Sequence, residues 1–166
     1  LVDYVRNEYG RSATLIAYGG DQHHKLTQDD SIFDEFSLPA SFDFAMARAQ
    51  SDNQLELILK TYSSSKHNLV FVSNWSSSVF GQNLYKTYNS FSNLFLLHPI
   101  YDSGKIKSLH SRTRLYIHGH SAGGTNPVLV EAMWSGLATA AYDVVFNRHT
   151  TCQAGFYFEN HKQLMK

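Results

Sequence analysis

Short β-type runs alternate with helix-type segments almost from one end of this chain to the other. That order leaves few architectures open. Strands separated by helical segments pair in parallel, and each crossover helix comes to lie on a face of the sheet. The runs that read as strands are residues 14–18, 42–47, 68–73, 94–98, 115–118, 139–142 and 156–158. The expected fold class is therefore α/β, a Rossmann-like doubly wound parallel sheet. With 166 residues, 43% of them hydrophobic and 14% aromatic, the chain can bury one core without disulfides or a structural metal.

Helical spacing is clearest at Leu55, Ile58, Leu59 and Tyr62, behind a polar stretch in which Ser51 or Asp52 can cap the first amides. Weaker helices are expected over residues 81–88 and 103–110. A further one is expected over 127–135, where Asn126 can cap, Pro127 suits the first turn and Gly136 suits the end. Residues 21–38 are polar, carry His23-His24 and Asp29-Asp30, show no sustained periodicity and read as a loop. The start Leu1-Val2-Asp3-Tyr4 resembles neither an initiator methionine nor a signal peptide. The end reads as a helix interrupted in its first turns, so an excised single domain, truncated at both ends, is the expectation.

Charge and cysteine usage narrow the function. Fourteen basic residues balance fourteen acidic ones, so there is no basic field for nucleic acid or anionic lipid, and any phosphate recognition must be local. Cys152 stands alone, which removes an internal disulfide and a cysteine zinc cluster and favours an intracellular setting. No apolar stretch is long enough for a membrane-spanning helix.

The most informative stretch is Tyr116-Ile117-His118-Gly119-His120-Ser121-Ala122-Gly123-Gly124-Thr125-Asn126-Pro127, continued by Val128-Leu129-Val130-Glu131. A buried strand runs into a glycine-bearing loop and then into a helix whose first amides lack backbone partners, which together make an anion site suited to a diphosphate. Gly123 and Gly124 let the main chain approach phosphate oxygens, Thr125 adds a hydroxyl, and Asn126 caps the helix. A ligand-free strand-to-helix turn has the same spacing. Glu131, one turn into the helix, either accepts hydrogen bonds from sugar hydroxyls or simply complements the helix dipole.

His118 and His120 share one side of an extended strand. Without carboxylate or thiolate ligands at metal spacing, they read as hydrogen-bonded structural residues. His23-His24 read as solvent-facing. Ser121 lacks a Gly-x-Ser-x-Gly elbow, so nothing marks a nucleophilic triad.

These residues carry a resemblance. Gly-Gly-Thr-Asn-Pro-Val-Leu-Val-Glu-Ala-Met, followed by a small-residue turn and Ala141-Tyr142-Asp143, resembles the donor-site signature of bacterial retaining glycosyltransferases of GT-B family 4. The rhamnosyltransferase-like branch of capsule and O-antigen assembly is closer still, with His-Gly-His-Ser-x-Gly-Gly-Thr-Asn-Pro standing here at residues 118–127. Tyr18-Gly19-Gly20-Asp21 resembles the strand end where the chain enters the C-terminal domain. Ala47-Arg48 with Asp52-Asn53-Gln54 resembles the strand and helix cap that hold the donor phosphates. Pro99-Ile100-Tyr101-Asp102 resembles the loop lining the base pocket, and Asn147-Arg148 the turn after the next strand.

The resemblance covers essentially the whole chain. It implies the C-terminal, donor-binding domain of a hexosyltransferase, with an N-terminal acceptor domain lying before Leu1. The donor would be a nucleotide-diphosphate sugar, with rhamnose the sugar that the closer branch suggests, and the acceptor a lipid-linked glycan at the inner face of the membrane. No metal or other cofactor is expected. Arg48 and Glu131 are the implied catalytic residues, with Gly123, Gly124, Thr125, Asn126, Asn53, Asn74, Tyr101 and Asp102 around the donor and Trp75 as a possible flank for the base.

Two positions depart from the wider family. Its first glutamate is Gly123 here, as in the closer branch, and its lysine five residues after the phosphate-binding arginine is Asn53. The alternatives are a nicotinamide-dependent nucleotide-sugar epimerase or reductase and a noncatalytic α/β interaction domain. The former needs Gly-x-Gly-x-x-Gly after the first strand, which Tyr18-Gly19-Gly20-Asp21 does not supply.

Overall fold

The computed structural model describes residues 2–20 and 26–165. Six strands form one sheet: β1 (Phe42–Met46), β2 (Leu69–Val72), β3 (Leu94–Leu97), β4 (Thr113–His118), β5 (Thr139–Tyr142) and β6 (Phe156–Phe158). All pairings are parallel, in the order β3-β2-β1-β4-β5-β6. The order reverses between β1 and β4, and there the carboxyl ends of the strands splay and leave a crevice. The doubly wound α/β class read from the alternation is the one observed.

Helices cover both faces: α2 (Ser31–Glu35), α3 (Leu55–Ser63), α4 (Val79–Tyr88), α5 (Ser103–Arg112), α6 (Pro127–Trp134), α7 (Val145–Thr150) and α8 (His161–Leu164), while α1 (Val2–Tyr9) buries none of its residues. Successive side chains of a strand point to opposite faces, and so the core is in two layers. Ala45, Leu69 and Phe71 meet Leu55, Ile58, Leu59 and Tyr62 of α3 and Leu84 of α4 on one side. Phe44, Val70 and Val72 meet Leu109 of α5 and Leu129 and Ala132 of α6 on the other. Every residue of β2 is buried, as a strand covered on both faces requires.

A carboxylate sits inside this core. Asp43 of β1 is buried; its carboxylate accepts from the Tyr62 hydroxyl at 2.6 Å and from Arg114 Nε and Nη2 at 2.9 and 2.6 Å. The two partners make its burial tolerable. Burial and the neighbouring carboxylate push the Tyr62 phenol well above its ordinary range.

Residues 14–18 are not a strand. They run without regular structure or sheet pairing, and Leu15, Ile16 and Tyr18 are 70%, 90% and 59% exposed. Their β-type composition finds no partner, because the sheet is complete without them and a lone extended run has no ladder to join.

The turn before α3 also differs from expectation. Neither Ser51 nor Asp52 caps the helix; residues Ser51–Asn53 form a 3-10 turn and Gln54 enters the helix at φ 52° with no side-chain cap. The turn's polar groups serve a long-range contact instead, since the Asp52 carbonyl accepts from both the amide and the hydroxyl of Ser121 at 2.8 Å. Within the expected loop 21–38, α2 forms because Ile32 and Phe33 bury against α5. His23-His24 and Asp21 lie outside the described residues. Asn147-Arg148, expected in a turn, lie inside α7.

Candidate functional site

The carboxyl ends of the central strands enclose a cleft of about 480 Å³. Met46, Ala47 and Arg48 after β1 form one wall, Ser73 and Asn74 after β2 and Pro99, Ile100 and Tyr101 after β3 a second, and His120, Asn126 and Val128 the third. A second hollow of about 370 Å³ shares Met46, Ile100 and Tyr101 and adds Glu131. The two form one crevice beside the switch between β1 and β4, where open α/β sheets bind ligands. A hollow of about 630 Å³ near Arg114, Ala138 and Phe156 lies at the strands' amino ends.

Two segments build the crevice, and they are fixed to each other. The turn at residues 51–53 presses on the end of β4 so closely that a Cβ on Gly119 would stand 2.1 Å from the Asn53 carbonyl oxygen. Only glycine allows that approach. Gln54 Nε2 donates to the Ser121 hydroxyl at 3.1 Å and Asn147 Nδ2 donates to the His120 carbonyl at 2.9 Å, so the loop after β4 is held from both sides.

Arg48 is exposed on the cleft wall, and among the described residues its guanidinium has no hydrogen-bond or ion-pair partner. An arginine left without a carboxylate in a concave site is available to an anion. Opposite it, Asn126 Oδ1 accepts from the Val128 amide at 3.0 Å and opens α6, whose first turn carries Pro127. Gly123 (φ 113°), Gly124 and Thr125 are exposed on the loop leading to that helix end, and Thr125 Oγ1 accepts from the Thr150 hydroxyl at 3.3 Å. Arg48 and the α6 amino end thus face one crevice, and Glu131 lies one turn further along the helix in the neighbouring hollow.

The other sequence-derived residues divide. Asn53 is buried on the wall, where its Nδ2 donates to the Arg48 carbonyl at 3.1 Å and its Oδ1 faces His120 Nδ1 at 3.1 Å. Asn74 lines the cleft while its Oδ1 accepts from the Ala49 amide at 2.7 Å. Tyr101, 92% exposed, stands at the rim. Asp102 is engaged elsewhere: its Oδ1 accepts from the amides of Gly104 and Lys105 and caps α5.

Trp75 does not flank the crevice. It is 1% exposed, packs edge-on to Phe71 and donates from Nε1 to the Leu97 carbonyl at 2.9 Å, because the 3-10 turn Trp75–Ser77 points the indole inward.

Burial sets the protonation states along this face. Partial burial raises the pKa of Glu131 from its ordinary value. His118, buried and beside His120, is pushed down to about 3 and stays neutral. Among the described residues its Nε2 and the Tyr116 hydroxyl are buried without a hydrogen-bond partner, contrary to the hydrogen-bonded role expected of His118. His120 meets that expectation and also lines the cleft; the His-x-His spacing was visible in the sequence, but its partner lies 67 residues away. Among the described residues no group of three or more His, Cys, Asp or Glu could hold a metal ion.

Solved structures share this architecture. Sucrose-phosphate synthase from Thermosynechococcus elongatus superposes with a TM-score of 0.72 at 15% identity, over 98% of this chain and 44% of that one. The C-terminal domain of a group 1 family glycosyl transferase from Francisella tularensis matches at 0.60 and 14% identity, over 86% of this chain and 82% of that domain. The fold is that of a GT-B C-terminal domain.

Anabaena HepE, solved in complex with UDP and glucose, matches at 0.62 and 13% identity over 81% of this chain and 40% of its own. This GT-B-type domain thus spans less than half of sucrose-phosphate synthase and of HepE. No family model matches the sequence, and no curated protein does. Among the described residues no helix is long and apolar enough to cross a membrane.

Proposed function

We propose that this chain is the donor-binding domain of a glycosyltransferase, and that the crevice at the β1–β4 switch holds a nucleotide-diphosphate sugar. The observation that carries the reading is the unpartnered Arg48 guanidinium facing the amino end of α6 across a cleft at the strands' carboxyl ends. A diphosphate there would meet the Arg48 guanidinium on one side and free main-chain amides on the other. When the bond between the sugar's anomeric carbon and the diphosphate oxygen breaks, its electron pair goes to that oxygen. Arg48, the amides of Gly123, Gly124 and Thr125, and the helix end stabilise the charge.

Glu131 accepts hydrogen bonds from ribose or sugar hydroxyls and fixes the donor, while Asn53, Asn74, Tyr101 and Asn126 shape the walls. The nucleotide sugar is a substrate, and neither a metal nor another cofactor is required. The acceptor is a glycan, lipid-linked, held by a second domain, and the transferred unit is a hexose. The resemblance in residues 118–127 supports rhamnose, retention of configuration and a role in bacterial surface polysaccharide assembly at the inner membrane face. Alone, this chain binds donor weakly and transfers nothing.

The test is ligand-observed NMR against UDP-, GDP- and dTDP-sugars, with NAD as the contrasting dinucleotide, repeated with Arg48→Ala. Saturation transfer to one nucleotide's base and ribose, lost in the variant, is the expected result. Binding of NAD alone, or a donor signal indifferent to Arg48, would sink the reading.

A further inference from the structure

The wall of the cleft contains a relay that the proposed chemistry has not yet used. Asn53 donates from Nδ2 to the Arg48 carbonyl at 3.1 Å, and this fixes the orientation of its amide. Its Oδ1 is thereby turned to His120, 3.1 Å from Nδ1, so that ring nitrogen carries the proton and donates it. The other ring nitrogen, Nε2, then holds a lone pair. It has no partner among the described residues and stands at the glycine loop, where a Cβ on Gly123 would lie 3.2 Å from it. Gly123, at φ 113°, keeps that approach open.

We propose that His120 is the second cation of the donor site, taking a proton from solvent onto Nε2 as the donor arrives and donating it as a hydrogen bond to a diphosphate oxygen. The inference rests on the donor-site reading above. Asn53 supplies no positive charge where it stands, but it orients the one residue beside it that can acquire one.

The groups facing His120 favour this sequence of events. His118 on β4 lies 6.0 Å away ring to ring and is neutral, Arg48 lies across the same cleft, and α7 presents the Phe146 ring at 5.8 Å. From the turn before α3, Asp52 offers its main-chain carbonyl to Ser121. The Asp143 carboxylate, before α7, is held by Arg148 at 2.6 Å. Among the described residues no carboxylate bonds the ring, so an arriving diphosphate is the anion that stabilises an imidazolium. When the nucleotide leaves, the proton returns to solvent.

Each phosphate of a nucleotide sugar carries one ester and one anhydride bond and stays singly ionised through neutral pH, so a pH-dependent affinity must come from the protein. The full chain is titrated calorimetrically with UDP-glucose, GDP-mannose and dTDP-rhamnose at pH 7.5 in two buffers of different ionisation enthalpy. Ring nitrogens are followed by ¹⁵N NMR in parallel. The expected result is uptake approaching one proton, affinity falling by up to about tenfold per pH unit as pH rises, and Nε2 moving from a lone-pair to a protonated signature on binding. His120→Asn keeps an amide donor for Asn53 and should abolish both the uptake and the pH dependence.

Donor binding without proton uptake, or uptake that persists in His120→Asn, overturns this inference and leaves the donor site standing. If the variant fails to fold, the ring-nitrogen signature of the unaltered chain decides alone. Failure of every nucleotide to bind removes the donor-site reading and this inference together.

Discussion

Gly119 and the carbonyl of Asn53 are in direct apposition, with a Cβ on the glycine placed 2.1 Å from that oxygen and 3.0 Å from Ile58 Cδ1. The contact joins the end of β4 to the turn before α3, the two segments that carry His120 and Asn53. Gly119→Ala forces a methyl group against the Asn53 carbonyl, and overpacking of this kind costs about 1–3 kcal/mol. Urea denaturation should show a loss of that size. Nucleotide binding, read by NMR in the folded variant, should weaken as well, because the wall of the cleft moves. Unchanged stability would mean that the two segments separate freely.

Trp75 separates packing from recognition. Its indole nitrogen bonds the Leu97 carbonyl inside the core, so Trp75→Phe should cost about 2 kcal/mol through the lost hydrogen bond and lost volume. Donor affinity measured well below the melting temperature should not change. A fall in affinity at constant stability would place the indole against a base after all.

The cluster of Asp43, Tyr62 and Arg114 should behave as one unit. Tyr62→Phe removes a 2.6 Å hydrogen bond to a buried carboxylate and should cost about 1.5–3 kcal/mol. Asp43→Ala should cost at least as much, because it strands the Tyr62 hydroxyl. The double variant should then be little worse than Asp43→Ala alone, a non-additivity that chemical denaturation of all four proteins reads directly.

Glu131 gives a pH signature of defined sign. Burial raises its folded-state pKa above 4.5, so the folded chain holds that proton more tightly than the unfolded chain does. Its contribution to stability is therefore most favourable below the unfolded value and declines as pH rises from there through the folded value. Glu131→Gln cannot ionise, and its melting temperature relative to the unaltered protein should rise as pH increases from about 4.5. An offset that stays flat with pH would place the carboxylate in water.

Much of this protein is fixed by local rules. The stripe of Leu55, Ile58, Leu59 and Tyr62 made α3 legible because burial on one face demands that spacing, and Asn126, Pro127 and Gly136 bounded α6 because helix ends leave unpaired amides and carbonyls. Six runs of buried or β-branched residues became the six strands. The same rules misread residues 14–18, since composition cannot supply a neighbouring strand, and they misread the cap of α3, where Asp52 and Gln54 bond Ser121 instead of the helix.

Around the crevice the division is the same. The sequence by itself determined the alternation of strands and helices, the glycine loop and the helix that opens at Asn126. Only the tertiary structure decided that Trp75 turns inward and that Asn53 stands between Arg48 and His120. The physical reason is the range of the interactions. Helix caps and apolar periodicity act within a few residues, whereas the His120 ring is oriented by a side chain 67 positions away, a distance closed only when β1 and β4 pair at the centre of the sheet.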